Sequence, residues 1–484
     1  MAKQPTLRDK IYQTGNVWIP ANEVPDEKDV VRYQGRVTSK WFAAVEDRVA
    51  IKALTMAVNS CDWCEDDSRI AEYINEYEKE NYPLHRHQRD AVHMIVHNDL
   101  CVLTGGPGTG KTTSINCAAY VLRRIRPDAS LLFCAPTGKA ARRITESTGE
   151  KASTLHHLLG LGYNETKPKN IEGDVLFMDE SSMNDIELTD KLFEICLNNK
   201  KLVWIGDVDQ IPSVGPGNVL KDFIASGVIP TTMLTKTFRQ AGESALLDNI
   251  NKVRAGDGSF RKDKPDDPDA EFLESIFKED ARESQIDYIV TKAYLKARTK
   301  YGADNVAVLL PYRKAGYCSD HVNQILQSRV NGKGPAWRCF PDKENNPKKV
   351  ILYRKGDPVM QLVNRSECVN GEVGKVVEVG DFGVKVKYSS GIVTYDTEEI
   401  KKELTLAYAM SVTKSQGSEY QAVILVILDS HTNALNKNIL YTGMSRAKKF
   451  CHLLTQQKAI ETSLKETASN RVTLLSQKLS AMAS

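Results

Sequence analysis

The 484-residue sequence lacks any run of about 18 apolar residues, the length a membrane-spanning helix requires. Its opening, MAKQPTLRDK, also lacks the apolar stretch of a secretory leader. Both absences point to a cytoplasmic chain with no membrane partner. A disulfide framework is missing too: ten cysteines are scattered, and Cys101 and Cys134 fall inside apparent strands, which suits buried reduced thiols. One C-x-x-C occurs, Cys61 to Cys64, with no second pair nearby and only His85 and His87 as a distant second half. A zinc site needs four converging ligands, and acidic residues crowd this one, so no resident metal is expected there. Strong net charge is also absent, since 65 Lys and Arg nearly balance 62 Asp and Glu. The balance is uneven, however: residues 1–80 carry 11 basic against 15 acidic side chains, net −4, which leaves +7 to the remainder. Basic clusters in that remainder, such as Arg123-Arg124 and Lys139 with Arg142 and Arg143, could meet a phosphate backbone or be ordinary solvated faces. The length implies two to four domains.

What is present centres on Leu103 to Ser114, LTGGPGTGKTTS, placed between an apolar run and a helical pattern. Strand, glycine loop and helix in that order make a P-loop. Gly105, Gly106, Gly108 and Gly110, with Pro107 and Thr109 between them, allow successive N–H groups to wrap a phosphate chain at a helix N-terminus. Lys111 would reach the β and γ phosphates, and the hydroxyl of Thr112, followed by Thr113, would serve magnesium.

Before this loop, Leu84 to Val96 reads as a helix, and its Gln88 could read an adenine edge with its amide. After it come SLLFCAPTGKAARRI, with Pro136-Thr137 at a strand end, and ASTLHHLLG. Two further strands end in polar residues: DVLFMDE in Asp179-Glu180, and KLVWIGDVDQ in Asp207 and Gln210. Apolar strands with polar C-terminal ends, alternating with helices, describe a parallel sheet covered on both faces. At such an edge Asp179 would hold magnesium and Glu180 would orient and deprotonate an attacking water. TKTFRQ closes this half with Arg239. A second α/β half begins near Asn305 to Lys314 and resumes at Ala422 to Asp429. Between them, Glu372 to Asp396 alternates apolar and polar residues and reads as a small antiparallel barrel, with Asp381-Phe382-Gly383 a hairpin turn rather than a kinase metal motif. The second half ends in LAYAMSVTKSQGSEY, with Ser415 and Gly417, and ILYTGMSRAKKF, with Arg446.

In order, LTGGPGTGKTT, APTGKAARRI, STLHHLLG, FMDESSM, GDVDQIPSVGPGNVL, TFRQ, YAMSVTKSQGSEY and LYTGMSRA resemble the motifs of superfamily 1 helicases of the RecD-like branch, which includes the phage Dda helicases. The resemblance covers roughly residues 84–478. It implies an α/β fold of two RecA-like P-loop NTPase domains (parallel sheets), with a small SH3-like β-barrel insertion and an N-terminal extension. It further implies ATP and magnesium as cofactors, single-stranded DNA and junctions of single and double strands as partners, movement from 5′ to 3′, and a bacterial or phage-infected cell.

Carried residue by residue, Gln88 stands as adenine reader, and Gly106 to Thr113 as the phosphate loop, with Gly417 also on the nucleotide. Asp179 and Glu180 form the metal and water pair, Gln210 the γ-phosphate sensor, and Arg239 and Arg446 the arginine fingers. Pro136, Thr137, His156, Thr413 and Ser415 fall in motifs that contact DNA. The implied boundaries are 1–84 for the extension, 85–240 for the first domain, 241–365 and 405–484 for the second, and 366–404 for the insertion. Leu161 to Ile171, LGYNETKPKNI, occupies the place of a strand-separating pin, with Tyr163 as a stacking ring.

Two departures stand out. Thr413 replaces a usual histidine, and residues 1–84 lack the helix-hairpin-helix glycine patterns of longer relatives, so their role cannot be borrowed from them; a protein partner could bind through this extension. Phosphate contacts alone leave an RNA-directed helicase, a translocase or an ATP-switched clamp open as alternatives.

Overall fold

The computed structural model describes residues 6–23, 29–58, 63, 65–161, 168–196, 200–238, 244–314, 316–340, 350–468 and 470–484. The chain forms two compact units, Met1–Pro136 with Ala140–Ala241 and Ala468–Ser484, and Thr137–Lys139 with Gly242–Thr467. No helix among the described residues is long and apolar enough to cross a membrane. The eight described cysteines are free and buried, among them Cys101 and Cys134 in the strands expected.

The first unit is built on six parallel strands in the spatial order Ala152–Thr154, Leu131–Ala135, Val175–Met178, Lys201–Gly206, Leu100–Gly105 and Thr231–Leu234. The central strands are buried along their whole length and mostly apolar because both faces are covered. One face packs Phe133, Phe177, Val203 and Ile205 against Ala91, Val92 and Ile95 of the helix Arg86–His97, against Val121 and Leu122 of Lys111–Ile125, and against Ile70 and Ile74 of Asp67–Glu80. The other face packs Trp204 against Phe193 of Ile186–Cys196, Val45 and Val49 of Lys40–Val58, Phe223 of Val219–Ser226 and Leu475 and Leu479 of Leu475–Ala483.

This packing corrects two of the expected boundaries. Residues 1–84 are not an appended extension, because Lys40–Val58 and Asp67–Glu80 cover opposite faces of the sheet and bury apolar side chains there. Residues 468–484 do not belong with the second half either. Their helix buries Leu475 and Leu479 in the first unit, and Glu46, which is fully buried, accepts from Leu474 N at 2.8 Å and from Trp18 Nε1 at 3.1 Å while pairing with Lys478 at 3.0 Å.

The second unit carries five parallel strands in the order Phe272–Phe277, Ala447–Gln456, Tyr420–Ile427, Val306–Leu310 and Ala409–Ser411. A separate five-stranded antiparallel sheet runs Ile392–Asp396, Gly383–Lys387, Val373–Val379, Pro358–Gln361 and Leu404–Leu406. It starts at Pro358 rather than at 366, since Val359 and Leu406, both buried, pair across its far strands and extend the core. Asp381-Phe382-Gly383 is the hairpin turn expected, closed by Gly380 N donating to Gly383 O at 3.0 Å.

One buried acid in the first unit yields a prediction. Asp222 is held by the Thr473 hydroxyl, 2.8 Å from both carboxylate oxygens, and burial pushes its pKa up to about 7. The unfolded chain ionises this group near about pH 4 while the folded one resists, so stability falls as pH rises from there to about 7 and then stays lower. Asp222→Asn should remove that slope: its Tm advantage over wild type should be absent at about pH 4 and grow to the equivalent of a few kcal/mol by about pH 8. A Tm difference independent of pH would show that the carboxyl is not held neutral.

Candidate active site

The parallel order brings three polar strand ends to one edge of the first sheet. The strands ending at Met178, Gly206 and Gly105 are neighbours, so Asp179-Glu180, Asp207 and the P-loop lie side by side. The loop itself has the cradle geometry its glycines predict. Gly108 and Gly110 have φ of +72° and +84°, a region that side chains with a Cβ rarely adopt. A Cβ on Gly110 would lie 2.2 Å from Gln88 Nε2, and one on Gly105 would lie 2.7 Å from Thr109 Oγ1. Thr109 donates its hydroxyl to Gly106 O at 2.9 Å, which locks the turn around Pro107. Lys111, Thr112 and Thr113 open the helix Lys111–Ile125, whose N-terminal N–H groups and dipole favour an anion. Lys111 Nζ folds onto Gly105 O at 2.7 Å and Gly106 O at 3.1 Å, a position from which it can turn to a bound phosphate.

Gln88 is buried and its amide is used twice. Oε1 accepts from His85 N at 2.8 Å, completing a cap at the start of the helix, and Nε2 donates to Gly110 O at 3.3 Å. The side chain thus ties that helix to the phosphate loop. Phe238, which the sequence reading passed over, donates its N–H to Gly108 O at 2.8 Å, and its ring lies 6.2 Å from that of His85. Its place inside TFRQ was the available signal. Arg239 lies outside the described residues.

Asp179 and Glu180 form a compact pair. Asp179 accepts from Glu180 N at 2.8 Å, and Glu180 has a positive φ of +52°, a strained backbone for a residue with a Cβ. Enclosure and the neighbouring Glu180 carboxylate raise the Asp179 pKa, while Lys111 opposes them. A cation would relieve that repulsion. On the turn that follows, the buried hydroxyls of Ser181 and Ser182 have no hydrogen-bond partner. Two crowded carboxylates, a threonine hydroxyl at the helix start and unused hydroxyls are the oxygen donors a hydrated magnesium ion takes, so the residues fit that metal. Asp207 and Gln210 are buried on the adjoining loop.

That loop is braced from behind. Arg471 Nη1 lies within 3.0 Å of Ser213 Oγ, 2.7 Å of Gly215 O and 2.9 Å of Gly217 O, and Nη2 donates to Ser213 O. Burial lowers the arginine's pKa to about 10, against the pull of Asp185. Glycines on both sides make room for this: a Cβ on Gly215 of PSVGPGN would meet Asp185 Oδ2 at 2.1 Å, and one on Gly15, near the start of the chain, would meet Arg471 Cζ at 2.5 Å. No local pattern marked Arg471, because its partners lie more than 250 positions away in the chain.

Of the residues expected on the nucleic acid, Pro136 and Thr137 sit half-buried after the strand Leu131–Ala135, and His156 is exposed on the short helix Leu155–Leu158. Tyr163 lies outside the described residues, as do Gly162 to Lys167 of the expected pin; the backbone at its base is tied by Lys169 N donating to Leu159 O at 2.8 Å. In the second unit, Thr413 is half-buried on a short turn, but Ser415 differs from expectation. It is fully buried and its hydroxyl donates to Val412 O at 2.7 Å, so it shapes the turn and does not face a strand. Lys414 between them is half-buried, with Nζ 2.9 Å from Asn370 Oδ1, and was not singled out beforehand. Gly417 has φ +72° and is followed by Ser418, whose carbonyl accepts from Arg446 Nη1 at 3.3 Å. Arg446 is buried, its Nε 3.3 Å from Thr442 O and its carbonyl accepting from Tyr420 N at 2.8 Å. The two motifs of the second unit are therefore one packed cluster.

Residues 88–216 match a family described as an AAA domain, and residues 406–454 match the UvrD-like helicase C-terminal domain. The chain is 31% identical over 370 residues to the ATP-dependent RecD2 DNA helicase of Deinococcus radiodurans, covering 75% of this chain but 48% of that relative, so it spans about half of its length. It is 27% identical over 420 residues to the RecBCD enzyme subunit RecD of Mycolicibacterium smegmatis, covering 79% of this chain and 73% of that one. Among solved structures, a Bacteroides Pif1 helicase in complex with ADP-AlF3 and single-stranded DNA aligns with a TM-score of 0.48 at 21% identity, covering 77% of this chain and 92% of that chain.

The brace behind Gln210 can be removed singly. Arg471→Ala strips several carbonyls of their donor at once and should cost about 2–5 kcal/mol of stability in the first unit. Denaturant titration followed by Trp fluorescence measures it, and a loss under about 1 kcal/mol would mean that water replaces the guanidinium.

Proposed function

Because this chain belongs to the RecD-like branch of the superfamily 1 helicases, we propose that it is an ATP-dependent DNA helicase that moves from 5′ to 3′ along single-stranded DNA and opens the duplex ahead. The observation that carries this reading is the meeting, at one sheet edge, of the P-loop, the Asp179-Glu180 pair and the Asp207 to Gln210 loop. Such an edge holds a nucleoside triphosphate by its phosphates and presents a base to the water that attacks the terminal one. Its substrates are ATP, single-stranded DNA and the junction of single and double strands, and its setting the cytoplasm.

The roles divide by chemistry. The P-loop N–H groups and Lys111 hold the phosphates; Gln88, with Phe238 and His85 beside it, borders the place for the base. Thr112 and Asp179 would hold magnesium, which would supply charge neutralisation to the phosphate chain. Glu180 takes the proton of the attacking water, and Gln210 reports whether the γ phosphate is present. Arg239 and Arg446 steady the charge that grows as the phosphoryl group transfers. Pro136, Thr137, His156 and Thr413 contact the strand, and the segment around Tyr163 acts as the pin that splits the duplex.

Glu180→Gln keeps the shape of the edge but removes the base, so the variant should bind ATP normally and turn over at least about a hundredfold more slowly. Lys111→Ala should abolish hydrolysis while single-stranded DNA binding persists. The wild type should unwind 5′-tailed duplexes and leave 3′-tailed and blunt ones intact; equal action on RNA duplexes would move the reading to RNA. Replacing Gly162 to Pro168 with a Gly-Ser link should spare DNA-stimulated ATP hydrolysis but abolish unwinding. Base stacking, at about 1–3 kcal/mol, is comparable to opening one base-pair step. Unwinding at the wild-type rate would place strand separation elsewhere.

A further inference from the structure

The helices Asp67–Glu80 and Arg86–His97 form a hairpin whose open end carries a side-chain cluster that the motor does not use. His93 and His97, one turn apart on the second helix, both reach the carboxylate of Asp67 at the start of the first. His93 Nδ1 is 3.1 Å and His97 Nε2 is 2.8 Å from the same oxygen, Oδ1. Donor atoms of the three residues lie within 4.8 Å of one another. In a tetrahedral site with bonds of about 2.0–2.1 Å, neighbouring donor atoms are about 3.3–3.4 Å apart. Small ring rotations therefore suffice to bring all three onto one ion. We propose that Asp67, His93 and His97 bind a divalent transition-metal cation, with zinc as the best match to two imidazoles and one carboxylate.

Three features favour a metal over a plain ion pair. Two imidazoles converge on one carboxylate oxygen, where a single donor would have satisfied it. The two histidine side chains are only about one-third exposed, 29% and 32%, so their apolar edges are already shielded while the nitrogens face one point. Spacing of i and i+4 sets both rings on one helix face. The opposite end of the hairpin is already stapled by Arg89, whose Nη1 lies 3.0 Å from Glu78 Oε2. A bound ion would close the open end in the same way and steady the helix that carries Gln88 at the P-loop. Histidine suits zinc, copper and nickel, whereas magnesium prefers oxygen ligands, so the site is chemically distinct from the one at Asp179.

The test uses the full chain without a histidine tag, stripped with chelator and titrated with Zn2+ by calorimetry and with Co2+ by visible absorption. One equivalent should bind, Co2+ should give the absorption of a four-coordinate site, and Zn2+ should raise the Tm. His93→Ala and His97→Ala should each weaken binding by about a hundredfold or more, at least the loss seen when only a supporting group around a metal is removed. Asp67→Asn should weaken it less, since the amide oxygen still ligates. Cys61 and Cys64 precede Asp67 in the sequence and lie outside the described residues, and the doubly substituted Cys61→Ser, Cys64→Ser chain supplies a control. Binding that survives both histidine substitutions, with or without loss in the cysteine variant, overturns the assignment. So does the absence of any stoichiometric Zn2+ binding by the folded wild type.

Discussion

A parallel sheet covered on both faces can present chemistry only where its strands end. That constraint organises this protein. The three central strands of the first unit are buried along their whole length, so the polar residues of the site gather just past their C-terminal ends. There the N-terminus of the helix Lys111–Ile125 adds a fixed positive pole. Burial and crowding then hold Asp179 above the ordinary carboxylate range, which prepares the edge for a cation and a phosphate chain. The second parallel sheet repeats the logic with a different outcome, a buried cluster around Gly417 and Arg446 in place of a phosphate loop.

What could be read from sequence follows from how local each signal is. The P-loop was legible because its function is performed by consecutive backbone N–H groups, and so its glycines must cluster within one short stretch. The strand ends at Asp179 and Gln210 were legible for a similar reason: an apolar run that stops at an acidic or amide side chain reveals both the burial and its limit. The parallel character of both sheets followed from those runs. Residues 1–84 defeated the same approach. Their helices are amphipathic like any surface helix, and nothing in the pattern says that Val49 and Ile74 cover opposite faces of the same sheet.

The harder failures involve contacts between distant positions. Arg471 reads as one basic residue among many, and only the fold shows its guanidinium among the carbonyls of Ser213, Gly215 and Gly217. The glycines of PSVGPGN are recognisable as a family signature, yet their physical reason, room for Asp185 and Ile186, is invisible without coordinates. Ser415 illustrates the converse error: a polar residue in a strand-contacting motif was taken for a contact, whereas its hydroxyl closes a turn. His93 and His97 were passed over because their partner, Asp67, is 26 residues upstream of His93.

The return of residues 468–484 to the first unit has a consequence for how the protein is made. During synthesis the strands around the P-loop leave the ribosome before the second unit, but the helix that supplies Leu475 and Leu479 to their core, and the Lys478 that pairs with Glu46, follow it. The second unit, apart from the short stretch Thr137–Lys139, is encoded without interruption between Gly242 and Thr467. It can therefore assemble while the first is still missing part of its covering. The nucleotide-binding half is begun before the second unit and finished after it, and a nascent chain stalled near residue 467 would carry an exposed apolar face beside an otherwise formed phosphate loop.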